Sequence, residues 1–84
     1  MFKLLDTVAL THDLPEVGLR RGDLGAIVEV HATDVWEVEF VAASGRTQAL
    51  VTLTSADVRQ IGDRDVIAVR SLVAADASQE TPSK

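Results

Sequence analysis

The groups in this chain that could do chemistry are few: two histidines, a scatter of carboxylates, five glycines and adjacent arginines, with no cysteine and no tyrosine. His12 precedes Asp13, the order of a general base beside an orienting acid, but no nucleophile or second acid accompanies them and the pair equally suits a solvated loop. His31 stands alone. The two histidines have neither i,i+4 nor His-x-His spacing, and without a thiolate there is no other metal ligand set to read. Gly18, Gly22 and Gly25 have the composition of a phosphate loop, yet no lysine follows in Walker spacing and no helix begins there to present its amides, so they read as turn glycines. No catalytic residue, cofactor or metal ligand is expected, and the chain does not read as an enzyme.

Surface charge is the other chemistry available. Thirteen acids against eight bases give a net charge of −5, which opposes phosphate backbones and anionic lipid surfaces and favours a basic partner. Trp36, Val38 and Phe40 alternate with Glu37 and Glu39, so one face of that strand is apolar and the other acidic. Glu29 projects the same way from the strand expected to pair with it. The trio Glu29, Glu37 and Glu39 supports two readings: a solvated face partly offset by Arg46 or Arg70, or an acidic recognition face for a basic protein, with exposed Ile27 or Leu50 as apolar anchors.

The elements that must position these groups are short. With 84 residues the chain makes one thin core, because a domain near this size buries only about 60% of its unfolded surface. Apolar runs of strand length recur between glycine, aspartate and serine turns, as in a small barrel or sandwich. Residues 6–10 form a first strand, and the polar connection 11–21 follows, its Leu14, Val17 and Leu19 folding over one end of the core. Gly22 and Asp23 turn the chain into a strand over 24–31, with Ala26, Val28 and Val30 on the inner side and Ile27, Glu29 and His31 on the outer; Gly25 marks a bulge or a close approach. The acidic-faced strand comes next, Ser44-Gly45 closes its hairpin, and residues 47–53 return with Ala49, Val51 and Leu53 inward. Thr54 to Asp57 has a capping-box-like spacing that suits a short 3₁₀ turn. The β-branched run 66–73 reads as the closing strand rather than a helix. The expected interior is Val8, Leu10, Ala26, Val28, Val30, Trp36, Val38, Phe40, Val51 and Leu53. Residues 1–73 form the domain and 74–84 a flexible polar tail, disordered for want of an apolar anchor.

Six pieces occur together in order: Leu5-Asp6-Thr7-Val8-Ala9-Leu10; Asp13-Leu14-Pro15-Glu16; Gly18-Leu19-Arg20-Arg21-Gly22-Asp23-Leu24-Gly25; Val28-Glu29-Val30; Glu37-Val38-Glu39-Phe40; and Leu53-Thr54-Ser55-Ala56-Asp57-Val58-Arg59. In this combination the chain resembles a family of small bacterial proteins known only as a domain of unknown function. The resemblance implies an SH3-like barrel and no established activity; with the elements read above, the expected fold is all-β, a five-stranded SH3-like barrel with a short 3₁₀ turn before the last strand. It also suggests toxin-like companions for some such proteins.

The expectation is therefore a cytoplasmic, non-catalytic protein-interaction or assembly module, an antitoxin- or immunity-like partner or a small accessory subunit. Its partner is another protein with a basic surface. The alternative is a nucleic-acid-associated barrel of the ribosomal or transcription-factor type, in which Arg20 and Arg21 touch phosphate; the net charge and the buried aromatics count against it. A small hydrolytic enzyme is a distant third. No apolar stretch approaches the roughly 20 residues of a membrane span, so no membrane insertion is expected.

Overall fold

The computed structural model describes residues 2–72; the expected tail, and Val73 of the expected closing strand, lie outside these residues. The chain is all-β: β1 (Thr7–Leu10), β2 (Leu24–Ala32), β3 (Val35–Val41), β4 (Thr47–Thr54) and β5 (Val58–Gln60), with one 3₁₀ turn, Pro15–Val17, among the described residues. The strands form one antiparallel sheet in the order β4-β3-β2-β1-β5. No ladder joins β4 to β5, so the expected barrel is not closed by hydrogen bonds. It is nevertheless curled. A flat sheet would hold β4 and β5 about 19 Å apart at about 4.8 Å per strand, whereas the connection from Thr54 to Val58 can span at most about 14 Å.

Curling lets one face of all five strands share an interior: Val8 and Leu10 of β1, Ile27 of β2, Trp36, Val38 and Phe40 of β3, Leu53 of β4 and Val58 of β5. Leu14 and Leu19 close one end, as their positions in the polar connection suggested, held by the mutual Leu14–Leu19 bridge around the 3₁₀ turn. Phe2 stacks edge-on against Trp36, with ring centroids 4.9 Å apart. Ala49 and Val51 pack against the core from the open side of β4.

Two expectations are corrected. On β2 the inner residues are Gly25 and Ile27, while Ala26 is half-buried and Val28 and Val30 are exposed. The cause is a bulge: Ile27 pairs with Val38 and Glu29 with Glu37, leaving Val28 as the extra residue, so a strict alternation read back from Val30 lands on the wrong face. Gly25 marks a close approach instead, lying beneath the Val38 and Phe40 side chains. The second correction is the closing strand. Residues 66–72 have no regular structure, and β1 takes its last neighbour from Val58–Gln60. The turn before β5 keeps the capping-box-like contacts, the Asp57 carboxylate accepting hydrogen bonds from the Thr54 N–H (2.9 Å) and hydroxyl (3.2 Å) and the Asp57 N–H donating to the Thr54 carbonyl, but it is a simple hydrogen-bonded turn, and the 3₁₀ turn lies at Pro15–Val17 instead.

Residues 61–72 instead form an arm pinned at two points. Arg59 makes a two-pronged ion pair with Asp65, both bonds 3.0 Å, fixing the Gly62 to Asp65 turn. Arg70 grips both carboxylate oxygens of Asp23 and donates to the Gly18 carbonyl, which ties the arm to the turn before β2. Val66 and Val69 point to solvent, Val69 at 95% exposure.

Candidate functional site

The outer face of β2, β3 and β4 carries the acidic residues. Register places Glu29 opposite Glu37, Glu37 opposite Thr52, and Glu39 between Ala26 and Leu50. Like charges directly opposite each other destabilise a strand pair, and the neighbours answer this locally. His31 Nε2 donates to Glu37 Oε1 at 2.9 Å and the Thr52 hydroxyl donates to the same oxygen at 2.8 Å. The Thr47 hydroxyl donates to Glu39. The His31 bond first, and then the Thr52 bond, hold the Glu37 carboxyl below its ordinary value. Neither Arg46 nor Arg70 offsets it: Arg70 belongs to Asp23, and Arg46 makes no ion pair among the described residues.

Leu50 is 56% exposed beside Glu39, on the outer face where the alternation placed it. Ile27 is fully buried, at 0% exposure, and is withdrawn as a contact residue, because the bulge after it turns its side chain into the core. The candidate surface is therefore Glu29, Glu37 and Glu39 with Leu50, and His31, Thr47 and Thr52 are the side chains that hydrogen-bond its acids. Those three were missed in the sequence. Their signal is cross-strand: each lies opposite or diagonal to an acid once the register is known.

His12 sits at the other end of the sheet. Its Nε2 lies 2.8 Å from Asp57 Oδ1 and its Nδ1 lies 3.0 Å from the Asp13 carbonyl, so both ring nitrogens must carry protons for the two bonds to coexist. That raises the His12 pKa, through the Asp57 contact first, and lowers that of Asp57. The acid that orients this histidine is Asp57, 45 residues away, and not its neighbour Asp13. While both bonds are made, neither ring nitrogen has a lone pair free to accept a proton. Among the described residues no group of three or more histidines or carboxylates could hold a metal ion.

A groove of about 460 Å³ runs between the arm and the β3–β4 hairpin, lined by Leu19, Phe40, Val41, Ile67 and Leu72, with the Asp23–Arg70 pair at its rim. The guanidinium holds Asp23 below the ordinary carboxylate value. Paired this way, the two offer a substrate neither a free base nor a free acid.

Fold and surface together define a small all-β domain of one five-stranded antiparallel sheet, with a cluster of glutamates on its outer side. Residues 4–60 match a protein family described as a domain of unknown function, DUF4926, and the chain belongs to that family. The match ends with β5, so the arm lies beyond the shared unit. No curated protein and no solved structure matches the chain. No helix among the described residues is long and apolar enough to cross a membrane.

Proposed function

We propose that this domain is a non-catalytic protein-interaction module of SH3-like, bacterial, cytoplasmic type, which binds a basic protein through the outer face of β2, β3 and β4. An antitoxin- or immunity-like companion, or a small accessory subunit of a larger complex, is the role that fits. The observation that carries the reading is the register pair Glu29–Glu37 with Glu39 beside it. Like charges placed opposite one another work against folding, and the interior gains nothing from them. A cationic surface docking on this face would relieve that repulsion. Leu50, exposed next to Glu39, supplies apolar contact area beside the charges.

The nucleic-acid alternative is weakened by the aromatic inventory. The chain has one tryptophan, two phenylalanines and no tyrosine, and all three rings lie in or against the core, leaving no stacking platform for bases. The test is quantitative affinity capture from the host with the parent chain and with a Glu37→Gln/Glu39→Gln variant, which keeps acceptor oxygens for His31, Thr52 and Thr47. A basic protein should be recovered by the parent and depleted by the variant, and its recovery should fall with added salt. Equal recovery by both chains contradicts the reading.

A further inference from the structure

We propose that the free edge of β4 is a strand-addition site, at which an extended segment of alternating basic and apolar residues from another protein joins the sheet as a sixth strand. The proposal rests on the acidic-face reading above and adds to it a backbone mode of recognition.

β4 is an edge strand of eight residues, Thr47–Thr54, without a single charge or proline. Edge strands of soluble proteins ordinarily carry lysine, proline or an inward charge to prevent pairing with another chain. Which backbone groups face outward follows from the ladder. Ile27 gives its N–H and C=O to the β1 side, donating to the Asp6 carbonyl and accepting from Leu5. In an antiparallel ladder this direction alternates residue by residue, so Ala26 and Glu39 bond each other, Val38 and Phe40 face Val51 and Ala49, and Leu50 and Thr52 turn their groups away from β3. Thr54 confirms the phase, because its N–H goes to the Asp57 carboxylate and its C=O to the Asp57 N–H. At the other end Gln48 is the extra residue of a bulge, and its side chain reaches the Val17 carbonyl. Between these two closed ends, the N–H and C=O groups of Leu50 and Thr52 have no backbone partner among the described residues.

The side chains specify the occupant. A strand hydrogen-bonded to Leu50 and Thr52 places the residues opposite them on the outer face, about 10 Å from the β3 acids at two strand spacings. Lysine and arginine span that distance to Glu37 and Glu39, which are the β3 neighbours of Thr52 and Leu50. The intervening residues fall beside half-buried Ala49 and Val51, where apolar side chains extend the core. A second copy is a poorer occupant, since β4 brings no cation and pairing β4 with β4 joins two acidic faces in a chain of net charge −5.

The probe is an acetylated, amidated heptapeptide of alternating lysine and valine, with a glutamate–valine counterpart and two N-methylated forms. Titration into isotopically labelled protein is followed by amide shifts and hydrogen exchange. The lysine–valine peptide should bind and protect the Leu50 and Thr52 amides, and the glutamate–valine peptide should not bind. Methylating the lysine amides, which face β4, should weaken binding at least about tenfold, or about 1.4 kcal/mol, while methylating the valine amides should not. If the basic peptide shifts Glu37 and Glu39 without protecting Leu50 and Thr52, and both methylated forms bind alike, strand addition is overturned and the acidic-face reading stands. If the basic and acidic peptides bind equally, or neither binds, both are overturned. Protection of Leu50 and Thr52 in the free protein that rises with its concentration identifies a second copy as occupant and also overturns the proposal.

Discussion

Replacing Gly25 by alanine places a methyl group where the β3 side chains already stand. Its carbon would lie 2.7 Å from Val38 Cγ1 and 2.8 and 3.0 Å from two ring carbons of Phe40. Carbon atoms pack best at about 3.5–4.0 Å, so all three contacts are short by about 0.5–0.8 Å. Neither neighbour is a loose end: Val38 is fully buried with a stiff β-branched side chain, and Phe40 is 2% exposed at the centre of the core. Gly25 does not have a positive φ, so the effect is packing alone, about 1–3 kcal/mol for an overpacked core. Alanine returns about 0.4–1 kcal/mol by restricting the unfolded chain, which at the middle of both ranges leaves a net loss of about 1.3 kcal/mol. In urea unfolding followed by Trp36 fluorescence, with a slope of about 1 kcal/mol/M for so small a domain, the midpoint should fall by about 1–2 M at unchanged slope. Gly62→Ala is the control, because its added methyl meets only Asp65 Oδ2 at an ordinary 3.6 Å, and it should be near neutral. A Gly25→Ala protein as stable as the parent would refute the close β2–β3 approach and the inward placement of Gly25 and Ile27 that goes with it.

Trp36→Ala removes the buried partner of Phe2 and should cost about 3–5 kcal/mol, enough to unfold much of the population in a thermal melt. Arg70→Met leaves Asp23 with only the Arg20 N–H and should cost about 1–2 kcal/mol in urea, with faster exchange of the Gly22 and Asp23 amides; an unchanged protein would show that the arm is not clipped. Stability should also depend on pH in two opposite ways. Asp23, Glu37 and Asp57 have folded values lowered from ordinary values of 3.8, 4.5 and 3.8, so their contribution is complete above those values and lost as pH falls through the lowered ones. His12, raised from 6.5, contributes fully below that value and loses its contribution as pH rises through the folded one. NMR titration of the ring should give a midpoint above 6.5 for His12, returning toward 6.5 in Asp57→Asn; a midpoint unmoved by that substitution contradicts the His12–Asp57 pair.

Much of the sheet was legible because its strands are half-buried and alternate. β3 shows Trp36, Val38 and Phe40 against Glu37 and Glu39 without interruption, and β4 returns with Leu53 inward and Leu50 outward. The hairpin between them turns at Gly45, whose φ of 91° is the conformation that its neighbour Ser44 and the glycine itself announce. β2 was misread because a bulge is a property of two strands, and the extra residue Val28 differs in no local way from its neighbours. β5 was missed for a different reason. It is three residues long with one inward side chain, Val58, too short for periodicity, while residues 66–72 carry a stronger β-branched signal and find no ladder. Tertiary supply decided between them: β1 has one free edge, and the tight turn from Thr54 delivers Val58–Gln60 to it first. At the candidate site the three glutamates could be read from alternation, but Ile27 fell to the same bulge, and the threonine and histidine contacts need the register.

Recognition through the acidic face of β2, β3 and β4 is put to the test by amide shift mapping of the domain with the basic protein captured from its host. Shifts and protection should gather on Glu29, Glu37, Glu39, Leu50 and Thr52. Shifts centred on Arg20, Arg21 and the 11–21 connection, with the acidic face unmoved, would contradict it.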